Sequence, residues 1–410
     1  MREKIQGLKN LNVPNLRFPE FSEDWVQTTI GEIGNIKNGP FGSVLHAEDY
    51  VSNGVPIVTT EHFKFGTLPT ISEGIPQVSD EDYIRLKGYV LNENDIVFSR
   101  VGSVEINALV GKKQSGWLFS GRVLRVRPMV KINPLCLHYV LSTESVKKDI
   151  RNRAVGQTMP SINTPILSKT ALKIPNNIIE QNKIASLLSL LDNRIATQNK
   201  IIQQLQSLIK GIVVEHYNKS HQTKFKIKDL GRSYSVMNMS KEDLSETGIE
   251  CIIYGELFTT YDCVATNIVS KTEKAIQTST VSTGYDLLFP ASTTVDAQSL
   301  IAPTAISQPN IILGGDMFGI VVDKKYNNEY LSYIFNYLYK NHLARYAQGS
   351  TIIHLHYNDI KNLDIELPDI NTQNELVLLL QNMQYKIHTE KKMLSMLETQ
   401  KAYLLKNLFI

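Results

Sequence analysis

A chain of 410 residues with 42% hydrophobic and 20% charged side chains is long and apolar enough to bury more than one core, which excludes a disordered polymer. The net charge of +3 says little about partners. Three cysteines, Cys136, Cys251 and Cys263, are odd in number and lack metal-ligand spacing, so they read as reduced structural thiols and not as a disulfide framework.

In chain order, residues 1–25 read as an N-terminal segment, and MREKIQGLKN lacks the apolar core of a secretory signal. No stretch approaches 18 uncharged apolar residues, so the expectation is a cytoplasmic protein with no membrane span. Residues 26–175 read as a compact α/β globule. Its β-rich runs include Val55-Pro56-Ile57-Val58, Asp95-Ile96-Val97-Phe98 and Val123-Leu124-Arg125-Val126-Arg127, broken by Gly, Asn and Ser loops, and Pro134 to Arg153 reads as a helical stretch.

Residues 176–219 read as a long helix, with Asn177 as N-cap and Glu180 reaching back in a capping box. Its seam runs Ile184, Leu188, Leu191, Ile195, Gln198, Ile202, Leu205, Ile209, Ile212 and His216 in steps of four and three. Residues 220–370 read as a second globule and residues 371–410 as a second helix, with Thr372 and Glu375 offering the same start signal. Here the seam runs Leu376, Leu380, Met383, Ile387, Glu390, Leu394, Leu397, Lys401, Leu404 and Leu408, at a constant offset of 192 from the first. A sustained 3.5-residue repeat is a coiled-coil seam, and two of them can pair. The polar interruptions Gln198 and Glu390 match in place and read either as register-fixing or as solvent-facing. From Ile184 to His216 the helix would be a rod of roughly 50 Å.

The chain is written twice. AVGQTMPSINTPILSKTALKIP at 154–175 aligns without gaps with AQGSTIIHLHYNDIKNLDIELP at 347–368, pairing Ala154 with Ala347, Gly156 with Gly349, Thr158 with Thr351 and Pro175 with Pro368. Upstream, Asp95-Ile96-Val97-Phe98 answers Asp286-Leu287-Leu288-Phe289, and Ile30-Gly31-Glu32-Ile33-Gly34 answers Ile227-Lys228-Asp229-Leu230-Gly231. Offsets that drift by a few residues are what loop insertions produce, so each copy spans nearly 200 residues.

Charge is uneven between the copies. Residues 1–220 hold 26 basic and 20 acidic side chains, and residues 221–410 hold 17 and 20. Between 100 and 153, Arg100, Lys112, Lys113, Arg122, Arg125, Arg127, Lys131, Lys147, Lys148, Arg151 and Arg153 face only Glu105, Glu144 and Asp149. Such a block suits a phosphate backbone, and it equally suits a solvated strand edge and helix face.

The sequence offers no clear catalytic signature. Asn133-Pro134-Leu135 lacks the aromatic ending of an adenine methyltransferase loop, and no glycine-rich nucleotide motif occurs. Pro368-Asp369 with Glu375 resembles the start of a nuclease motif, but Val377 stands where a lysine is needed. His354 and His356 could form half of a metal site, yet no third ligand has suitable spacing, so no metal is expected.

Pro14-Asn15-Leu16-Arg17-Phe18-Pro19 with Trp25, Gly39-Pro40-Phe41-Gly42-Ser43, Gly156-Gln157-Thr158 and Glu180-Gln181, in this order within a doubled architecture, resemble the specificity subunits of type I restriction-modification systems. The resemblance implies an α+β protein, with two pseudo-symmetric α/β target-recognition domains separated by a pair of long antiparallel coiled-coil helices. It implies a non-catalytic subunit that reads an asymmetric bipartite sequence in double-stranded DNA. The implied partners are two modification subunits and the restriction, or translocase, subunits, which would use S-adenosylmethionine, ATP and Mg2+. A coiled-coil scaffold that binds only proteins is the alternative.

Base readout needs donors and acceptors in exposed loops, while Lys, Arg and hydroxyls hold phosphates. The candidates in the first copy are Lys37, Asn38, Phe41, Ser43, Thr60, His62, Lys64, Arg100, Ser103, Lys112, Lys113, Arg122, Gln157, Thr158 and Asn163. In the second copy they are Asn238, Lys241, Ser292, Thr294, Gln298, Ser350, Thr351, His354 and His356.

Overall fold

A computed structural model describes residues 13–40, 44–129, 131–236 and 239–410. The architecture is α+β, and the chain divides into two compact units: Met1–Gln198 with Met393–Ile410, and Asn199–Lys392. Each long helix therefore contributes one part to each unit.

In the first unit, strands Gly34–Asn38, Val123–Pro128, Ile96–Ser99 and Asn107–Leu109 form an antiparallel sheet in that order. Side chains alternate between its faces. Ile96, Phe98, Leu124 and Val126 enter a core with Trp25, Ile184 and Leu188, while Val97, Ala108 and Val123 enter a second core with Phe63 and Phe119. A smaller sheet joins Tyr50–Val51, Gln77–Val78, Val55–Val58 and Leu118–Phe119, the last pair parallel.

The second unit repeats this plan with added strands. Gly231–Ser235, Met317–Val322, Asp286–Pro290, Thr304–Ile306 and Val264–Ala265 make one sheet. Leu244–Ser245, Ser270–Thr272, Ile249–Ile253, Pro309–Gly314 and Thr280–Thr283 make the other, with Ile249–Ile253 parallel to Pro309–Gly314. In both units a two-stranded ladder closes the globule just before a long helix: Val26–Thr29 pairs with Ala171–Ile174, and Thr223–Lys226 with Asp364–Leu367.

The helical stretch expected from Pro134 to Arg153 is two helices, Pro134–Leu141 and Glu144–Arg153. Ser142 Oγ donates to the His138 carbonyl at 2.9 Å and Thr143 Oγ1 to that of Val140 at 2.7 Å. These hydroxyls offer the backbone an alternative to the helical ladder, and Thr143 turns extended.

The long helices are Ile178–Lys219 and Ile370–Asn407. In the first unit Lys401 reaches Asp192 at 2.6 Å, and Leu404, Leu405, Leu408 and Phe409 pack with Ile184, Ala185 and Leu188. In the second unit Gln203, Gln206 and Ile209 line one cavity with Gln384 and Ile387. The helices are antiparallel in each. Ile184, Leu188, Leu191, Ile202, Ile209, Leu376, Leu380, Ile387, Leu397 and Leu408 are buried, and Ile195, Leu205, Ile212, Met383, Leu394 and Leu404 are half-buried.

Two details of the seam differ from expectation. Val213 is fully buried where Ile212 is only half so. On a straight helix with about 100° per residue, four heptads carry Ile212 roughly 80° off the line of Ile184, while Val213 lies within about 20° of it. Gln198 and Glu390 are buried at 6% and 8% exposure, so neither is a slip toward solvent.

Candidate nucleic-acid interface

Backbone hydrogen bonds gather the loops of the first unit at one end of its main sheet. Arg100 N donates to the Arg122 carbonyl at 2.9 Å, Ile162 N to that of Arg100 at 2.9 Å, and Gly102 N to that of Pro160 at 2.8 Å. Val155 and Ser161 bond each other reciprocally at 3.0 and 2.8 Å, closing a hairpin in which Gly156 has φ +97°. A Cβ there would stand 2.8 Å from the Met159 carbonyl, in a backbone region that favours glycine. Gly39 N to Val123 O at 3.1 Å and Ser120 N to Val58 O at 2.9 Å bring in the two remaining loops.

The second unit repeats four of these bonds. Ala291 N donates to the Asp316 carbonyl at 2.8 Å, and Leu355 N to that of Ala291 at 2.9 Å. Gln348 and His354 bond reciprocally at 2.8 and 2.7 Å around Gly349, whose φ is +113°. Passages 154–175 and 347–368 are thus alike because each holds the same hairpin against the same strand end.

Arg122, Ser103, Gln157 and Thr158 are exposed at the first junction, and Arg100 is half-buried, its guanidinium 3.2 Å from the Gly121 carbonyl. Asn163 borders it, but its side-chain oxygen caps a short helix by accepting from Ile166 N at 2.9 Å. Lys37 donates to the Gly88 carbonyl at 2.7 Å and lies 4.8 Å over the Tyr89 ring, while Asn38 Oδ1 is buried without a hydrogen-bond partner. His62 Nδ1 accepts from Thr59 N at 3.0 Å, and burial lowers its pKa. Thr60 is half-buried beside it, and Lys64 is exposed and paired with Glu61. In the second unit Ser292 pairs with His354 in a short ladder, both half-buried, and Thr294, Gln298, Ser350, Thr351, His356 and Lys241 are exposed. Phe41, Ser43 and Asn238 lie outside the described residues.

Two expectations change in the structure. Lys112 and Lys113 follow strand Asn107–Leu109, whose Leu109 pairs with Ile96, so they sit at the sheet end opposite Arg100. The basic block is also not one charged track. Arg125 is buried and donates to Asn35 at 2.6 Å, Arg127 pairs with Asp95 at 2.7 Å, Arg153 with Asp149 at 2.8 Å, and Arg151 with Glu144 and Glu105. Each of these four arginines is paired within the unit, Arg125 and Arg127 across strands and Arg151 and Arg153 along a helix surface. The sequence reading missed the turn Gly314-Gly315-Asp316, which answers Ser120-Gly121-Arg122 at an offset of 194 and was detectable as part of the repeat.

His354 and His356 carry nearly parallel rings with centroids 6.1 Å apart, and His356 begins a short helix by donating its N–H to Asp359 at 2.8 Å. No cluster of metal-ligating side chains occurs among the described residues. No helix among them is long and apolar enough to cross a membrane.

The model of the type I restriction modification DNA specificity domain matches residues 22–207 and again 220–399. The chain belongs to this family. It is 26% identical over 202 residues to the type I restriction enzyme MjaVIII specificity subunit of Methanocaldococcus jannaschii, a stretch covering 47% of this chain and 45% of that protein. The match thus spans about half the length of this curated relative. The crystal structure of the type I restriction-modification S subunit from M. genitalium shares the fold, with a TM-score of 0.61 at 16% identity over 97% of this chain and 99% of that one. A chain from a structural study of complex assembly and conformational transition of the type I R-M system follows at 0.54 and 13%, over 96% and 99%.

Both specificity domains are fastened to their helices by one clasp. Asn133 caps the helix of Cys136, its N–H donates to Gln181 at 2.8 Å, and its side chain donates to Asn182 at 2.7 Å. Asn327 does the same with Tyr330, with Gln373 at 2.9 Å and with Asn374 at 2.8 Å. Gln181 and Gln373 in turn donate to the Pro175 and Pro368 carbonyls, both at 2.8 Å.

The helix starts differ from each other and from the expected capping boxes. Asn177 does cap the first helix, accepting from Ile179 N at 2.8 Å. Glu180, however, is buried and accepts two bonds from Arg17 at 2.7 and 2.8 Å and one from Trp25 Nε1 at 3.3 Å. The Glu180 carboxylate raises the Arg17 pKa above its ordinary value. The second helix is capped by Asp369, which accepts from the N–H groups of Asn371 and Thr372 at 2.9 and 3.1 Å, so Thr372 lies inside the first turn. Leu16 N also donates to the Asn407 carbonyl at 2.9 Å, and Trp25 stacks edge-on against Phe409 at 6.1 Å. The Pro14-to-Pro19 motif with Trp25 thus joins the start of one helix to the end of the other.

Proposed function

We propose that this chain is the DNA sequence-recognition subunit of a type I restriction-modification complex, each specificity domain reading one half of an asymmetric bipartite target. The observation that carries this reading is the junction built twice by four matching backbone hydrogen bonds but furnished with different side chains at matching positions: Arg100, Gln157 and Ser161 in one unit, Ala291, Ser350 and His354 in the other. One scaffold with two sets of donors and acceptors is what two different half-sequences require. Double-stranded DNA, two modification subunits and restriction, or translocase, subunits are the partners on this reading. The chain would work in the cytoplasm and supply no catalytic group. S-adenosylmethionine, ATP and Mg2+ would be held by the partner subunits. Residues 26–175 and 220–370 are the two readers, and helices within 176–219 and 371–410 carry them.

The test reconstitutes the chain with modification subunits and maps methylated adenines across a genome. An interrupted, non-palindromic motif is expected, and exchanging residues 26–175 for the corresponding domain of another family member should change one half only. A change in both halves, or methyl transfer by the purified chain alone, would refute the proposal.

A further inference from the structure

The turn Gly314-Gly315-Asp316 belongs to none of the candidate reading loops found in the sequence, yet it stands where Ser120-Gly121-Arg122 stands in the first unit. Each turn joins the strand paired in parallel, Leu118–Phe119 or Pro309–Gly314, to the long strand Val123–Pro128 or Met317–Val322. The carbonyl of the third residue receives the N–H of Arg100 or Ala291. Both third residues are exposed, so the backbone puts an arginine at this point of one unit and an aspartate at the same point of the other.

The local structure holds Asp316 in place. Gly315 has φ +96°, and a Cβ on it would lie 2.7 Å from the Tyr254 ring, so the turn closes against a half-exposed aromatic. Ala291 leads directly into Ser292, which pairs with His354. The Asp316 carboxylate has no ion-pair or hydrogen-bond partner among the described residues. An exposed anion within a phosphate-binding surface raises the energy of every complex in which it finds no donor. Duplex DNA offers donors to the major groove only as the exocyclic amino groups of cytosine and adenine.

We infer that Asp316 is a specificity-determining residue of the second reader, accepting a hydrogen bond from the amino group of a cytosine or adenine in the second half-target. Arg122, at the matching point of the first reader, offers only donors and suits guanine or phosphate oxygens. The inference rests on the proposed function and gives one residue of that surface a direction of readout.

The experiment compares the reconstituted complex carrying the unaltered chain, Asp316→Ala or Asp316→Asn for binding to duplexes varied one base pair at a time through both half-targets, at one fixed salt concentration. The unaltered complex should discriminate roughly tenfold or more for an amino-bearing base at one position of the second half. Asp316→Ala should bring that preference to within about twofold and leave the first half unchanged. The isosteric Asn adds a donor and should admit a keto base at the same position, and the wild-type preference there shows whether the donor is cytosine or adenine. Tighter binding of Asp316→Ala to all duplexes alike would overturn the inference, since the carboxylate would then act only by repulsion. An unchanged profile for both variants would overturn it as well. If the unaltered complex shows no bipartite preference, the proposed function itself fails.

Discussion

Glu180→Ala tests whether the N-terminal segment is a structural part of the first unit. Glu180 is 1% exposed, and its carboxylate takes two bonds from Arg17 and one from the Trp25 indole. Truncation removes the carboxylate that faces a largely buried guanidinium, whose Nη2 still donates to the Glu23 carbonyl at 2.6 Å, and takes one bond from the Trp25 indole. Breaking a buried ion pair costs about 3 to 5 kcal/mol, and because the Arg17 side chain is 13% exposed the loss falls at the lower end, about 3 kcal/mol. For a unit of this size that lowers Tm by roughly 6 to 12 °C. Both tryptophans, Trp25 and Trp117, belong to the first unit, so thermal unfolding followed by tryptophan fluorescence reports it selectively. Thr372→Ala, at the corresponding place on the second helix, should change stability by no more than about 1 kcal/mol. Replacing Arg17 and Glu180 together by methionine should recover at least half of the loss, because no buried charge is then stranded. A shift below about 2 °C for Glu180→Ala would show that the segment only lies against the helices.

Other expectations follow from single side chains. Burial, with Lys401 and Lys147 nearby outweighing Asp192, holds His138 down at about 4. Its neutral form is the folded one, so stability is full above the unfolded value near 6.5 and falls as pH drops toward about 4, by up to about 1.4 kcal/mol per pH unit. Urea titrations at several pH values should show this slope, reduced in His138→Phe. Gly349→Ala should break the hairpin of the second junction, since its Cβ would meet the Ile352 carbonyl at 2.0 Å and φ is +113°. A cost of about 1 to 3 kcal/mol is expected, seen as faster amide exchange at 348–354 with the first unit unchanged. Asn327→Ala removes a helix cap and the side-chain bond to Asn374, and should cost about 1 to 2 kcal/mol in chemical denaturation of the second unit.

The repeat, both long helices and most seam residues were legible because each leaves a period in the sequence, as from Ile184 to Ile209 and from Leu376 to Leu408. The loops of the two junctions were legible as groups, since Gly156 and Gly349 mark the same turn. What failed was pairing at a distance. Glu180 fits a local capping box, and nothing nearby shows that Arg17, 163 residues away, outcompetes the backbone for it. Arg125 and Arg127 look like part of a charged track until strand register sets them near Asn35 and Asp95, whereas Arg151 and Arg153 pair along their own helix with Glu144 and Asp149. Asp316 was hidden because an acidic residue draws no notice in a search for DNA contacts.

The place of Leu408 and Phe409 in the first core sets an order of events during synthesis. Trp25, Ile184 and Leu188 leave the ribosome early, yet the residues that close their core emerge only after the whole of 199–392, a stretch that makes the second unit on its own. At about 5 to 20 residues per second, the first unit waits on the order of 10 to 40 s with part of its interior open. A message cut short anywhere in that interval yields a chain whose first core stays exposed to proteases and chaperones. Leu408 and Phe409, just past the end of the second helix, thus act as a completion check on a unit begun some two hundred residues earlier.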